Sequence, residues 1–275
     1  MNTRSQVRTN HESREPLLTL ADIRAGWSLR NSWWALSRQS IKVSYRRTTL
    51  GPLWITIQQI AFVVGISLLY SQLFKVKSSD LVPLVAIGIT FWGFLTSCIT
   101  GAANNFIGQS QSIKSSTLPI SFYVFSSVAQ QFLIFLHSAI VLVPLVFVID
   151  TTPRIVCLVT VPLAILCAVL NGFSLGLWLG PLSARYRDIS ASIPIIIQLA
   201  MFLSPIFWSP TLLGGRAWIV DYNPIAWMIE TFRSPILGGD MRIDLWVRLA
   251  ILTCVNLALG VVVLHRVRDK ITYWI

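Results

Sequence analysis

Five stretches of this chain run for more than twenty residues without a charged side chain: 52–74, 82–113, 118–149, 155–184 and 189–215. Nothing else in the sequence constrains the fold as strongly. A helix rises about 1.5 Å per residue and a bilayer's hydrocarbon core is about 30 Å thick, so about 20 apolar residues cross it. In lipid the backbone must satisfy its own hydrogen bonds, and a helix does so within one segment. A sixth run, 249–264, is shorter and reaches back to Ile243 only by taking in Asp244 and Arg248. The expectation is an all-α membrane protein with six transmembrane helices. Charged residues make up 12% of the chain, against about 25% in a soluble domain.

Charge sets the orientation. A net charge of +11 would suit nucleic acid, but fifteen of the 22 Lys and Arg fall before Gly51, at Lys114, Arg185 and Arg187, or after Leu264. With six spans those positions share one side, and basic residues crowd the cytoplasmic face. Both termini are therefore expected in the cytoplasm, with anionic membrane lipids rather than nucleic acid as the counter-charge. Residues 1–16 are polar, with no apolar core of a secretory signal. Residues 1–25 read as a disordered cytosolic tail, 51–265 as the six-span domain and 266–275 as a cytosolic C-terminal tail. Cys98, Cys157, Cys167 and Cys254 all lie in apolar runs without metal-ligand spacing and read as small buried hydrophobes.

Residues 26–50 form a different kind of segment. At about 100° per residue, Ser28, Asn31, Arg38, Gln39, Lys42 and Arg46 share one arc, with Trp27, Trp33, Trp34, Leu36, Ile41 and Tyr45 on the rest. This predicts an amphipathic interface helix at the membrane surface. Ser37, Ser40 and Ser44 interrupt its apolar side and leave room for protein contact. In "YRRTTLGPLW" the chain turns into the first span at Gly51-Pro52, since Pro in a first helical turn loses no useful donor. Asn104 and Asn105, inside the second span, should face protein or water. The polar stretch 109–118 reads as a cytoplasmic loop. Residues 210–240 carry Asp221, Glu230 and Arg233, too many charges to span, yet are too aromatic for a free loop. They read as a re-entrant helical hairpin on the external side before the last span. Glu230 and Arg233, three apart, can pair on one face.

Catalytic chemistry is not indicated. His11, His137 and His265 have no carboxylate at a motif spacing, no paired acids stand out, and no G-x-x-x-x-G-K-S/T loop is present. No catalytic or metal-binding residue is assigned, and the chain reads as a non-enzyme whose motor, if any, lies on another polypeptide.

Three motifs in order, "YRRTTLGPLW", "SARYRDIS" followed by "PIIIQLAMFLSPIFW", and "YNPIAWMIETFR", give the chain its resemblance. From about residue 20 to 270 it resembles the transmembrane permease subunit of type-2 ABC exporters. The nearest group exports lipid-linked polysaccharides such as O-antigen, teichoic acid, capsule and galactan precursors. The resemblance implies a homodimer in a bacterial inner (plasma) membrane, bound to two ATP-binding subunits that carry ATP and Mg, with no cofactor on this chain. It implies coupling to the ATPase through 109–118, here Gln111, Lys114, Ser115 and Leu118. It also implies an external gate, here Tyr222, Asn223, Pro224, Glu230 and Arg233. The substrate implied is a polyprenyl-diphosphate-linked polysaccharide. Export of a drug or lipo-oligosaccharide is the alternative within transport. A membrane-embedded glycosyl or acyl transferase is the alternative outside it, and would need clustered acids or histidines.

A neutral polymer needs a path of ring faces and uncharged hydrogen-bonding groups. The first and fifth spans offer Trp54, Gln58, Gln59, Phe62 and Tyr70, then Gln198, Phe202 and Phe207. Ordinary helix packing is the competing reading for each of them. Arg46, Arg47, Arg185 and Arg187 are expected as a cytoplasmic rim for the lipid diphosphate, because Arg forks two donors onto phosphate oxygens. Topology anchoring is the competing reading.

Overall fold

The computed structural model describes residues 19–75, 77–147, 155–208 and 218–275. Helices account for nearly all of the regular structure, and the described residues contain no strand. Five helices are long and apolar enough to cross a membrane. They are α3 (Leu53–Phe74), α4 (Ser78–Gly108), α6 (Ile120–Ala139, continued by a 3₁₀ turn to Leu142), α7 (Cys157–Arg185) and α11 (Ile243–Val267). Shorter elements join them: α1 (residues 19–28), α2 (Arg30–Ser44), α5 (Ser110–Ser115), α8 (Arg187–Leu203), α9 (Trp218–Asp221), α10 (Pro224–Ile236) and α12 (Ile271–Trp274).

The count differs from six at one place. The charge-free run 189–215 does not become one long helix. α8 stops at Leu203 after 17 residues, about 26 Å at the helical rise. Pro205 is the cause: a proline pushes the residue before it out of the α region, and Ser204 sits at φ −103°, ψ 139°. The last run behaves in the opposite way. Asp244 and Arg248 are simply the first turns of a continuous 25-residue α11. The expected hairpin falls partly outside the described residues. Only α9 and α10 are seen; of the expected tail 1–25, residues 1–18 lie outside the described residues, and 19–25 are helical, as the start of α1.

The interface-helix segment is two helices with a turn at Leu29 between them. Of its serines, Ser37 serves protein contact, while Ser40 and Ser44 bond back to the Leu36 and Ser40 carbonyls of their own helix. Ser37 is fully buried and donates to the Ser126 carbonyl (2.8 Å), while Trp33 stacks on Phe125 at 5.7 Å. The Asp22 carboxylate accepts from the Ile120 and Ser121 amides at 3.2 and 3.0 Å, capping the first turn of α6 from another element. At the corner, Gly51 takes φ +56°, which favours glycine, and α3 begins directly after Pro52.

α4 is the hub. It packs against α3, α6, α7, α8 and α10. Phe91 stacks on Phe232 of α10 at 4.2 Å and Phe94 on Phe135 of α6 at 4.6 Å. Lipid offers no hydrophobic drive for helices to associate, so close packing and hydrogen bonds hold them. Both are present. A Cβ on Gly180 of α7 would sit 3.0 Å from Phe106 and 3.1 Å from the Ala102 carbonyl of α4. Between α7 and α11 a buried network closes on itself. Asn171 donates to Thr253 (2.8 Å), Asn256 to Asn171 Oδ1 (2.9 Å), Trp178 Nε1 to Asn256 Oδ1 (2.8 Å), and Ser174 to the Asn256 carbonyl.

Candidate translocation face, gate and coupling surface

α3 is the least covered of the long helices, with 17% of its apolar window buried against 67% for α4. Its inward stripe is narrow and mostly small: Thr56, Val63, Ser67 and Ser71. Trp54, Gln58 and Phe62 recur every fourth residue on the uncovered side and are all exposed. Gln198 and Phe202 hold the same spacing on the exposed face of α8. The other three residues proposed for the path point elsewhere. Gln59 is half-buried and donates to Thr90 of α4 at 3.3 Å. Phe207 is buried, with its ring 6.1 Å from Phe62 and 5.8 Å from Tyr70. Tyr70 is half-buried beside it. Phe207 thereby joins the segment after α8 to α3.

The gate residues meet at the end of α8. Asn223 caps α10, its Oδ1 accepting from the Ile225 and Ala226 amides, and its Nδ2 donates to the Leu203 carbonyl (3.2 Å) and the Ser204 hydroxyl (3.0 Å). Pro224 opens the helix, where its missing N–H costs nothing. Glu230 and Arg233 do pair, at 2.6 Å. Arg233 is buried, and its other nitrogen donates to the Pro205 carbonyl at 2.8 Å. One guanidinium thus holds α10 to the break that ends α8, a link no spacing rule could foretell. Tyr222 stands exposed next to the cap.

At the 109–118 stretch, α5 is anchored by buried Ile113, and Tyr123 of α6 donates to the Ser112 carbonyl at 3.1 Å. Gln111, Lys114, Ser115 and Leu118 remain exposed around that anchor. The four rim arginines are divided between two places. Arg46 and Arg47 follow α2 and are exposed. Arg187 opens α8, and Arg185 lies over the rings of Tyr186 and Trp274 at 5.1 and 5.3 Å.

Sequence reasoning missed one feature here. A polar crevice of about 810 Å³ opens between α2, α4, α5 and α6, with Gln39, Asn104, Asn105, Gln130 and Gln131 among its lining. The amides spaced through otherwise apolar runs were its signal. Asn104 accepts from Ser190 of α8 (2.8 Å), and buried Asn105 accepts from Gln109 (2.6 Å).

These features define a multi-pass helical membrane protein with a tightly packed hub and two sparsely covered long helices, α3 with 17% of its apolar window buried and α11 with 22%. Residues 31–237 match the profile of the ABC-2 type transporter family, and the chain belongs to that family. It is 25% identical over 210 residues to an O-antigen export system permease protein RfbA of Klebsiella pneumoniae, covering 76% of this chain and 81% of that protein. It is 24% identical over 229 residues to a second protein of the same name and organism, covering 82% of this chain and 88% of that one.

Proposed function

We propose that this chain is the membrane permease of an ATP-driven exporter that carries a polyprenyl-diphosphate-linked polysaccharide of the O-antigen type across the inner membrane. Two copies would pair through α3 and α8 and be powered by two separate ATP-binding subunits. The observation that carries the reading is the uncovered face of α3 and α8. Gln58 and Gln198 are amides on apolar helices, and at membrane depth an amide faces protein or water, not lipid. A second copy set against this face supplies the protein, and a path between the copies supplies the water. Trp54, Phe62 and Phe202 then offer ring faces to sugars, and the two glutamines exchange hydrogen bonds with hydroxyls. The names of the two Klebsiella relatives support the substrate class.

In this reading α8 and the segment after it make the sixth crossing, with both termini in the cytoplasm. α10 is the inner arm of the re-entrant gate. It starts at the end of α8, held by Asn223, and ends where the Cys157 thiol at the start of α7 donates to the Pro235 carbonyl (2.6 Å). The exposed residues of α5 receive the motor's movement, and the arginines of the rim meet the carrier's diphosphate.

Deletion of the gene in its host tests the proposal. Surface polysaccharide should disappear while lipid-linked polymer accumulates on the cytoplasmic side, and both should be restored by this chain only together with its ATP-binding partner. Normal surface polysaccharide in the deletion strain would overturn it.

A further inference from the structure

A groove of about 790 Å³ lies between α1, α2, α6, α7 and α11, and neither α3 nor α8 contributes to it. That volume falls within the range of about 300–1,000 Å³ typical of small-molecule pockets. Its long wall is apolar. Pro162, Leu166, Leu170 and Phe173 recur along one side of α7, and the 12 residues from Pro162 to Phe173 correspond to about 16 Å of helix. Phe132 of α6 faces the same space.

One end of the groove is different. Arg24 is the single charged residue on the lining, which also includes Trp27, Trp33 and Trp34. Trp27 and Trp34 each lie 6.0 Å from Trp33, centroid to centroid. The Trp33 indole N–H is buried and has no acceptor among the described residues. Asp22, two residues before Arg24, is pinned to the first turn of α6. That turn follows α5, on the side the distribution of Lys and Arg assigns to the cytoplasm. The site therefore has a cation at the membrane surface, tryptophans at headgroup depth, and an apolar channel leading inward.

We propose that this groove binds one glycerophospholipid of the cytoplasmic leaflet. Its phosphate sits on Arg24, and an acyl chain lies along α7 toward Pro162. The charge complementarity selects the occupant. One guanidinium matches one phosphate, whereas a polyprenyl diphosphate would bring a second anionic group with no partner on the lining. The assignment does not depend on the polysaccharide reading.

The test uses the transporter purified with its ATP-binding partner in mild detergent. Native mass spectrometry counts the phospholipids that survive delipidation, and phosphatidylglycerol with a photoreactive group on its acyl chain maps the site in vesicles. One retained phospholipid per chain is expected, with labelling near Leu166 and Phe132. Arg24→Gln should weaken binding about tenfold, the scale of one charge-assisted hydrogen bond, and Arg24→Lys should recover most of it. Leu166→Trp, which fills the groove and leaves Arg24 in place, should expel the label. Equal labelling at exposed Ile251 of α11 would show bulk lipid only and overturn the site. Binding indifferent to both Arg24→Gln and Leu166→Trp would do the same. Displacement of the phospholipid by equimolar polyprenyl diphosphate would overturn the choice of occupant.

Discussion

α3 and α4 are neighbours in sequence, are both helical and apolar, and pack against each other, yet they do opposite work. α4 is buried over most of its length and packs against α3, α6, α7, α8 and α10. α3 keeps a narrow stripe of small residues inward and turns Trp54, Gln58 and Phe62 away from the bundle. The difference shows that in a bilayer apolarity does not say which face is the core. Both faces of such a helix can be apolar, and close packing decides which one turns inward. An amide then becomes the informative residue. Gln59 turns in to Thr90, while Gln58, one position away, turns out.

The contrast predicts graded effects of substitution. The largest belongs to Arg233, on the buried side of α10. Arg233→Ala removes the partner of Glu230 and of the Pro205 carbonyl together. Glu230 is 30% exposed, so losing its partner costs about 3 kcal/mol, the low end for a buried pair, and the unpaired Pro205 carbonyl adds about 1 kcal/mol; the variant should unfold at markedly lower temperature in detergent. Phe91→Ala empties the stack on Phe232 within the hub, and large-to-small aromatic changes in a core cost about 3–5 kcal/mol. Phe202→Ala on the uncovered face of α8 should change stability by no more than about 0.5 kcal/mol while lowering export. Equal losses of stability at 91 and 202 would dissolve the contrast. Asp22→Ala removes the cap on α6, a loss of about 1 kcal/mol readable as faster hydrogen exchange at Ile120 and Ser121. The smallest effect is at Gln59. Gln59→Leu loses one interhelical hydrogen bond, worth about 0.6 kcal/mol in a membrane protein, and should leave export near normal, whereas Gln58→Leu should spare stability and reduce export.

Much of this was legible in the sequence because bilayer thickness imposes a length. Four of the five long charge-free runs placed long helices, α11 came from the shorter sixth run extended over Asp244 and Arg248, and the i,i+3 spacing of Glu230 and Arg233 foretold their pair. Of the serines that interrupt the interface helix, Ser37 marked protein contact, while Ser40 and Ser44 bond back to their own helix. The break in the run 189–215 was harder to see. Ser204-Pro205 carries the local signal, but a proline inside a long helix is tolerated elsewhere in this chain, at Pro83, Pro162 and Pro181. Which amides turn outward was not legible at all. Gln58 and Gln59 have the same composition around them, and only the position of Thr90 on another helix separates them. The anchor of Arg233 on Pro205 and the cap of Asp22 on α6 are long-range contacts, set by how elements meet rather than by spacing along the chain.

The central claim is that the uncovered face of α3 and α8 lines a water-filled path between two copies. Single cysteines at 58, 59, 62 and 198, placed in a chain with Cys98, Cys157, Cys167 and Cys254 replaced, test it most directly. In the assembled transporter a water-soluble thiol reagent should modify positions 58, 62 and 198 and leave 59 largely unmodified. Polymer held in transit should protect the three reactive positions. If 58, 62 and 198 stay unreactive in every nucleotide state, or if 59 reacts as fast as they do, the path does not run along this face.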